Sequence, residues 1–120
     1  MKNQVIAVSD AFWKAMENAD EAGMRFHAAP DCTFVHIGIT CELEKEIEFY
    51  TKGIFNPTQL VFHSKDARVY GDTAIVITDC DYSLLLGGNP TTHHFAVTEA
   101  YHLTDGRWQL VQFSFTALVY

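Results

Sequence analysis

The chain has 120 residues, 48% of them hydrophobic and 19% charged, with a formal net charge of −7. This length and composition predict one globular domain over residues 1–120 with a substantial core, and argue against a disordered chain. The acidic balance, the scattered basic residues and the lack of any apolar run as long as a bilayer span argue against nucleic-acid and membrane partners, so we expect a soluble, cytoplasmic protein.

The N-terminal half predicts three helices interrupted by one strand. The first helix covers residues 5–19, where the larger apolar side chains are spaced by three and four. Asp20 can cap a second, short helix, which Pro30 stops. A strand follows, residues 39–42 form a short extended return, and a third helix covers about residues 43–55.

The strand after Pro30 carries the first residue that needs an explanation. Its side chains alternate, so Cys32, Phe34 and His36 lie on one face. An imidazole in an otherwise apolar strand is costly unless a neighbour satisfies it or it lines a cavity. We therefore single out His36 as a candidate functional residue, against the alternative of a satisfied structural histidine.

After Pro57 the sequence changes to long segments rich in β-branched and aromatic residues. Turn-forming clusters at residues 70–72, 87–90 and 104–106 divide these segments into four strands joined by three hairpins. The order is thus helix, helix, strand, helix and a four-strand antiparallel meander. It predicts an α+β fold with the helices gathered on one face of a curved sheet.

Three cysteines, Cys32, Cys41 and Cys80, form neither an even set nor a C-x-x-C spacing. This pattern suggests neither a disulfide scaffold nor a zinc motif. We expect all three to be reduced and mostly buried, as small hydrophobic side chains.

Four segments carry a resemblance to a known superfamily. In chain order they are Phe12-Trp13-Lys14-Ala15 with Ala19-Asp20, residues 29–36 (A-P-D-C-T-F-V-H), residues 69–76 (V-Y-G-D-T-A-I-V) and residues 105–111 (D-G-R-W-Q-L-V). Their order and spacing are similar to those of the nuclear transport factor 2-like superfamily, in its SnoaL-like, ketosteroid-isomerase-related branch. The resemblance covers nearly the whole chain.

This resemblance implies a cone, in which a curved antiparallel sheet wraps around three N-terminal helices. Such proteins leave an apolar pocket inside the cone, and the outer face of the sheet commonly makes a homodimer. The resemblance therefore implies a small apolar molecule as ligand, a second copy as partner and no cofactor. It does not fix the activity, because this fold hosts isomerases, cyclases, hydrolases, dehydratases and assembly domains.

The catalytic pattern of ketosteroid isomerases carries over only in part. Residues 31–36 (D-C-T-F-V-H) place His36 at the position of their general base, and a histidine can also take that proton. Their oxyanion-hole tyrosine corresponds to Phe12, which has no hydroxyl, and their second donor falls near His94 or Phe95. Steroid isomerisation by the usual arrangement is therefore not expected, because a main stabiliser of the enolate is missing.

Several side chains besides His36 are candidates for the pocket wall. His63 and His94 could meet His36 across the cone, so a three-imidazole metal site is an alternative to our expectation of no metal. His93 and His94 are strand neighbours and point to opposite faces, and the sequence does not decide which one faces inward. The predicted ligand-binding residues are Phe12, Trp13, Phe34, His63, His94, Trp108, Gln112 and Ser114.

The last strand offers two possible faces to the pocket. Trp108, Gln112 and Ser114 share a face that resembles a pocket wall with apolar area and a few polar groups. The opposite face, with Phe113 and Phe115, suits a homodimer interface, and the assignment can be reversed. No G-x-S-x-G motif surrounds Ser114, so we do not expect a serine nucleophile.

For three acidic residues of the meander, the sequence does not decide between a position in the pocket and one in contact with solvent. Asp79 and Asp81 share one face of their strand and would form an acid/base pair if that face lined the pocket. The alternative is a solvated face near the sheet edge or the dimer rim. Glu99 has the same two interpretations.

The leading hypothesis is proton transfer on an apolar, carbonyl-bearing substrate. His36 would act as the base, and Gln112, Ser114 or His94 would orient the ligand. The rival is a non-enzymatic association or regulatory module, which the missing tyrosine at Phe12 favours.

Overall fold

The computed structural model describes residues 1–118 and contains three helices and six strands. Their bounds are α1 Lys2–Glu17, α2 Glu21–His27, β1 Ala28–His36, β2 Ile39–Glu42, α3 Leu43–Thr51, β3 Phe55–Tyr70, β4 Thr73–Leu86, β5 Asn89–Thr104 and β6 Arg107–Ala117. The predicted α+β fold is confirmed. Within the described part of the chain, no helix has both the length and the apolar character needed to cross a bilayer.

Helix α3 ends four residues earlier than the sequence pattern suggested. Gly53 takes a positive φ of 72°, which lets the chain turn out of the helix, and β3 begins at Phe55. Pro57 therefore lies inside a strand rather than behind a helix. The strand tolerates it because β3 is at the edge of the sheet, where a missing N–H need not remove a ladder hydrogen bond.

The six strands form one open sheet in the order β2-β1-β6-β5-β4-β3. Its pairs are antiparallel as predicted, with one exception: β1 and β6 run parallel. Register shifts interrupt the β1–β6, β3–β4 and β5–β6 ladders. Such bulges bend a strand and increase its twist, so the sheet can curve around the helices.

The aromatic side chains of α1 fill the space between this helix and the sheet. Phe12 and Trp13 are buried, with ring centroids 5.9 Å from Phe34 and 5.1 Å from Phe113, respectively. Each fully buried aromatic side chain of this kind contributes about 1.5–3 kcal/mol through removal of apolar area from water. The aromatic residues of α1 are therefore core residues, and any cavity must lie beyond them.

Glu99 is also a core residue, fully buried between α1 and the sheet. Its carboxylate accepts hydrogen bonds from four side chains: Ser9, Trp13, Thr78 and Tyr101. Burial and the neighbouring carboxylate raise the pKa of Tyr101, so its hydroxyl stays a donor at neutral pH. This saturated network anchors α1 to β4 and β5, because a buried charge is tolerated only when its partners satisfy it.

Candidate ligand-binding site

A cavity of about 410 Å³ opens between α3 and the sheet. Its wall is formed by the β1–β2 turn, the end of α3 and the neighbouring ends of β3 to β6. Apolar side chains dominate this wall: Ile37, Ile39, Phe49, Phe55, Leu84, Leu86, Phe95 and Phe115. Such a volume and lining are typical of sites that bury a small apolar molecule and orient it with a few polar groups.

His36 and Glu46 form a hydrogen-bonded pair at this wall. Nε2 of His36 lies 2.7 Å from Oε1 of Glu46. The side chain of His36 is 12% exposed, whereas that of Glu46 is fully buried. His36 ends β1, and Glu46 lies in the first turn of α3, on its buried face. A buried carboxylate beside one ring nitrogen fixes the orientation of the imidazole and favours a proton on that nitrogen.

Two aromatic rings hold the imidazole of His36 in place. Phe115 stacks on it with centroids 5.0 Å apart and planes at 24°, and Phe55 approaches it at 5.0 Å and 67°. Within residues 1–118, no hydrogen bond reaches Nδ1 of His36. This nitrogen is therefore the one that remains for a ligand in the cavity.

Cys41 completes a small cluster around Glu46. Its thiol donates to Oε1 of Glu46 at 3.5 Å, while Oε2 is buried and has no partner among the described residues. Burial and the Glu46 carboxylate raise the pKa of Cys41 to about 12, so the thiol keeps its proton at neutral pH. His36, Cys41 and Glu46 each offer one atom within 4.8 Å of the others, a spacing that could hold a metal ion. Cys41 would first have to lose that proton.

A second polar pair, Tyr50 and Tyr82, also lines the cavity. Their hydroxyl oxygens are 2.8 Å apart. Burial raises the pKa of both phenols, so both hydroxyls are protonated at neutral pH. One hydroxyl donates to the other, which leaves one O–H free to donate to a ligand oxygen.

The two polar pairs are joined by shared aromatic neighbours. Phe55 packs against His36 at 5.0 Å and against Tyr50 at 5.5 Å. Phe115 packs against His36 at 5.0 Å and against Tyr82 at 6.1 Å. A candidate proton acceptor and a candidate hydroxyl donor therefore lie on one continuous wall, as proton abstraction beside a carbonyl requires.

Of the two adjacent histidines on β5, His93 faces the cavity and His94 points to the other side of the sheet. Nδ1 of His93 is buried without a partner among residues 1–118. His93 is therefore a further polar group that a ligand could satisfy.

Comparison with protein families places this geometry in a known group. The sequence profile of the SnoaL-like domain matches residues 5–119, which is nearly the whole chain. The chain belongs to the SnoaL-like domain family. No curated protein sequence matches this SnoaL-like domain.

Solved structures share the fold of this SnoaL-like domain. An NTF2-like protein from Cytophaga hutchinsonii superposes with a TM-score of 0.89 at 20% identity, covering 98% of both chains. A proposed dehydratase of the NTF2-like family from Streptomyces avermitilis gives 0.82 at 19% identity, covering 99% of this chain and 96% of the other. The CaMKII hub of S. rosetta gives 0.80 at 19% identity, with 98% and 96% covered. At these identities the likeness extends to the fold alone. The predicted SnoaL-like branch is confirmed by the family match over residues 5–119.

Among the residues predicted to line the pocket, the structure places only His36 at the cavity of the SnoaL-like domain. Four others are buried in the core instead: Phe12, Trp13, Phe34 and Trp108. Their placement at the pocket wall is corrected for a simple reason. Phe12 packs on Phe34 and Trp13 packs on Phe113, and the cavity begins farther along the strands, beyond α1.

Gln112 and Ser114 also lie outside the cavity, where Nε2 of Gln112 donates to Oγ of Ser114 at 2.8 Å. A register shift opposite Ala100 and Tyr101 inserts an extra residue into β6. Because a shift of one residue exchanges the two faces of a strand, Phe113 and Phe115 join Trp108 and Leu110 on the buried side. The prediction that Phe113 and Phe115 form the dimer face is therefore wrong, and Phe115 lines the cavity.

His63, His94 and both aspartates of β4 lie on the outer face of the sheet. Nε2 of His63 is 3.0 Å from Oδ2 of Asp81, and Nε2 of His94 is 2.6 Å from Oδ1 of Asp79. Asp79 and Asp81 are thus partly solvated, and they do not form an acid/base pair inside the pocket. A metal site that joins His63 and His94 to His36 is excluded, because His36 lies on the opposite side of the sheet.

Three polar residues of the site were missed: Glu46, Tyr50 and Tyr82. For His93 and His94 the sequence left open which one faces inward, and only His94 was named as a ligand-binding residue. Glu46 had a signal, because it lies three residues after Leu43 and four before Tyr50, on the apolar stripe of α3. No sequence signal indicated the pairing of Tyr50 with Tyr82. These residues are 32 positions apart in the chain and meet only because the sheet is curved.

Proposed function

We propose that this SnoaL-like domain binds a small, uncharged carbonyl compound in its cavity and moves a proton on it, with His36 as the base. The observation that supports this most is the hydrogen bond between His36 and the fully buried Glu46 at the wall of an apolar cavity. Among residues 1–118, those that line the cavity include no lysine or arginine, which disfavours a phosphate or carboxylate as the recognised group. The fold likeness to a proposed dehydratase is compatible with this reaction class.

The proposed step follows from the two polar pairs. The N–H at Nε2 of His36 stays on the ring and donates a hydrogen bond to the Glu46 carboxylate, while Nδ1 takes a proton from the carbon beside the substrate carbonyl, so that His36 becomes an imidazolium. The electron pair of the broken C–H bond moves onto the carbonyl oxygen, where the free hydroxyl of the Tyr50–Tyr82 pair donates to the developing charge. The imidazolium then returns the proton to another carbon, which gives an isomer. If it instead returns the proton to a departing hydroxyl group, water leaves and the enzyme acts as a dehydratase.

The rival interpretation is a non-enzymatic association module. A purely structural module has no need for a cavity whose wall carries an imidazole held from behind by a buried carboxylate. The open volume of about 410 Å³ therefore favours a ligand-binding role.

Proton abstraction can be tested without knowing the natural substrate. A panel of small apolar ketones, with 3-cyclohexen-1-one as the first probe, is incubated with the protein in D₂O, and deuterium uptake and double-bond migration are followed by NMR. We expect turnover with the native chain and a loss of about 10²-fold or more in His36→Gln, the usual contribution of a general base. His102→Gln is the matched control, because His102 is exposed on β5 and lies away from the cavity. Equal rates in His36→Gln and the native chain would remove His36 from the mechanism.

We further propose that two copies of the chain associate through the outer face of the sheet. In one copy this face carries partly covered aliphatic and small side chains: Ile75, Ile77, Ala96, Thr98 and Ala100. The CaMKII hub of S. rosetta has the same fold, and this likeness is compatible with self-association of the present chain. Sedimentation velocity should give a dimer for the native chain and a monomer for Ile77→Glu. Lys14→Glu, exposed on α1 and away from this face, is the control that should remain a dimer. A native chain that sediments as a monomer contradicts this proposal.

A further inference from the structure

We propose that the outer face of the sheet carries a binding site for a divalent transition metal, with Zn²⁺ as the best fit, formed by His63, Asp81 and His94. Each of these residues offers one ligand atom, and the three atoms lie within 4.8 Å of one another. Two imidazoles and a carboxylate are a donor set that Zn²⁺ prefers. This inference does not rest on the function proposed for the cavity.

Three neighbouring strands bring the ligands together. Asp81 on β4 is the direct cross-strand partner of His94 on β5, a relation that brings Cβ atoms to about 4.5–5.5 Å. His63 comes from β3, where the register shifts between Phe62 and Ser64. A bulge of this kind redirects a side chain, and here the imidazole reaches Asp81 at 3.0 Å. The cluster is thus specified by strand register and a bulge.

Only a small movement would close this arrangement around an ion. Ligand atoms of a tetrahedral zinc site are about 3.3 Å apart at the usual bond lengths of about 2.0–2.1 Å. The distance from Oδ2 of Asp81 to Nε2 of His63, 3.0 Å, is already in this range. In a single copy the side chains of His63, Asp81 and His94 are 46%, 43% and 30% exposed, so they can rotate and an ion can reach them from solvent. They lie beyond the end of the patch proposed for dimer formation, which begins at Ala96, opposite Asp79.

A second carboxylate supports the site. Oδ1 of Asp79 lies 2.6 Å from Nε2 of His94, so the proposed ligand atom of His94 is its other ring nitrogen, Nδ1. A carboxylate that holds the non-ligating nitrogen of an imidazole raises metal affinity, so Asp79 strengthens the site without contacting the ion. The imidazoles of His63 and His94 are in edge contact, with centroids 5.6 Å apart.

The cluster is separate from the cavity although it uses the same strands. Cys80 and Phe95 neighbour Asp81 and His94 in sequence, but they point inward and are buried. The cavity cluster of His36, Cys41 and Glu46 is on the opposite side of the sheet. Variants of the two clusters therefore report on different sites.

The test is zinc binding to the full chain, purified without a histidine tag and stripped with EDTA. Isothermal titration with ZnCl₂ should give one ion per chain, and Co²⁺ should give the strong visible absorption of a tetrahedral site. His63→Asn and His94→Asn should each weaken binding at least about tenfold. His102→Asn is the matched control. This exposed histidine on β5 also faces a carboxylate, that of Asp72 at 3.4 Å, but within residues 1–118 it belongs to no group of three metal-ligating side chains.

Circular dichroism verifies that each variant is folded, and Asp81→Asn replaces any that is not. The proposal is overturned by weak binding without stoichiometry, by an octahedral Co²⁺ spectrum, or by full affinity in both His63→Asn and His94→Asn. It is also overturned if binding is lost in His36→Gln while the outer variants keep it, because the ion would then lie in the cavity.

Discussion

The inner and outer faces of the sheet each carry a histidine bonded to a carboxylate, and the two pairs differ mainly in their access to water. The distance from Nε2 to the carboxylate oxygen is 2.7 Å for His36 and Glu46 and 2.6 Å for His94 and Asp79. The inner side chains are 12% and 0% exposed, whereas the outer ones are 30% and 33% exposed. Geometry alone therefore does not distinguish a reactive pair from a surface ion pair.

Solvent access decides what each pair can do. Inside the cone, water cannot replace a lost partner, so the Glu46 carboxylate depends on His36. On the outer face, water can hydrate either group, and the pair by itself adds little stability. The inner pair is suited to hold the imidazole of His36 in one orientation for proton transfer. The outer cluster is hydrated, so a metal ion could replace the solvent around its side chains.

The largest expected effect is the loss of stability when the inner pair is broken. His36→Ala leaves Glu46 buried without its main partner, and we expect the free energy of unfolding to fall by about 3–5 kcal/mol. Urea denaturation measures this change. The double variant His36→Phe with Glu46→Leu should regain most of the loss, since replacing both partners of a buried hydrogen bond by apolar groups of similar shape is often nearly neutral. A double variant as unstable as His36→Ala would show that shape, and not the unpaired carboxylate, explains the loss.

The hydroxyl pair should matter less for stability than for rate. Tyr82→Phe removes one hydroxyl of the cavity wall, and we expect turnover of a ketone probe to fall about 10²-fold, as for the loss of one oxyanion donor. The KM for the probe should change little, because the donor acts mainly on the developing charge. Steady-state kinetics separates the two quantities. A change confined to KM would assign Tyr82 to binding only.

Alkaline pH should weaken the fold through its buried thiols and phenols. Burial raises the pKa of Cys41 and Cys80 from 9.0 to about 12, and burial also raises the pKa of Tyr50 and Tyr82. Groups whose pKa is raised in the folded state contribute stability that is complete below their unfolded pKa and is lost as the pH rises above it. The urea midpoint should therefore fall between pH 9.0 and about pH 12. Cys41→Ser should make this fall shallower, and a midpoint that does not change with pH contradicts the burial of these groups.

The smallest effect is expected on the outer face. His94→Ala should change the free energy of unfolding by less than about 1 kcal/mol in the absence of metal, because its partner Asp79 becomes hydrated. The same urea titration measures it beside His36→Ala. Equal losses for the two variants would contradict the difference in solvent access on which the comparison rests.

The sequence predicted the fold better than the site. Strand alternation singled out His36, and helical spacing and turn residues gave the element order, because these signals are local. Glu46 was attributed only to favourable charge at the start of a helix, although its position on the apolar stripe of α3 was visible.

Other features of the site depend on register and curvature, which leave no local signal. The extra residue in β6 exchanges the faces of Gln112 and Phe113, so a strict alternation along the whole strand assigned both to the wrong side. The bulge in β3 likewise sends His63 to the outer face. The contact of Tyr50 with Tyr82 depends on how far the sheet curves around α3.

The most direct test of the central claim is a ¹⁵N NMR experiment on the histidine rings, with the His36 signals assigned by their absence in His36→Gln. We expect His36 to carry its proton on Nε2, which faces Glu46. We also expect an apolar ketone to shift the Nδ1 resonance of His36 and to leave the resonances of His94 unchanged. A proton on Nδ1, or a ketone that leaves both His36 nitrogens unchanged, would contradict that claim.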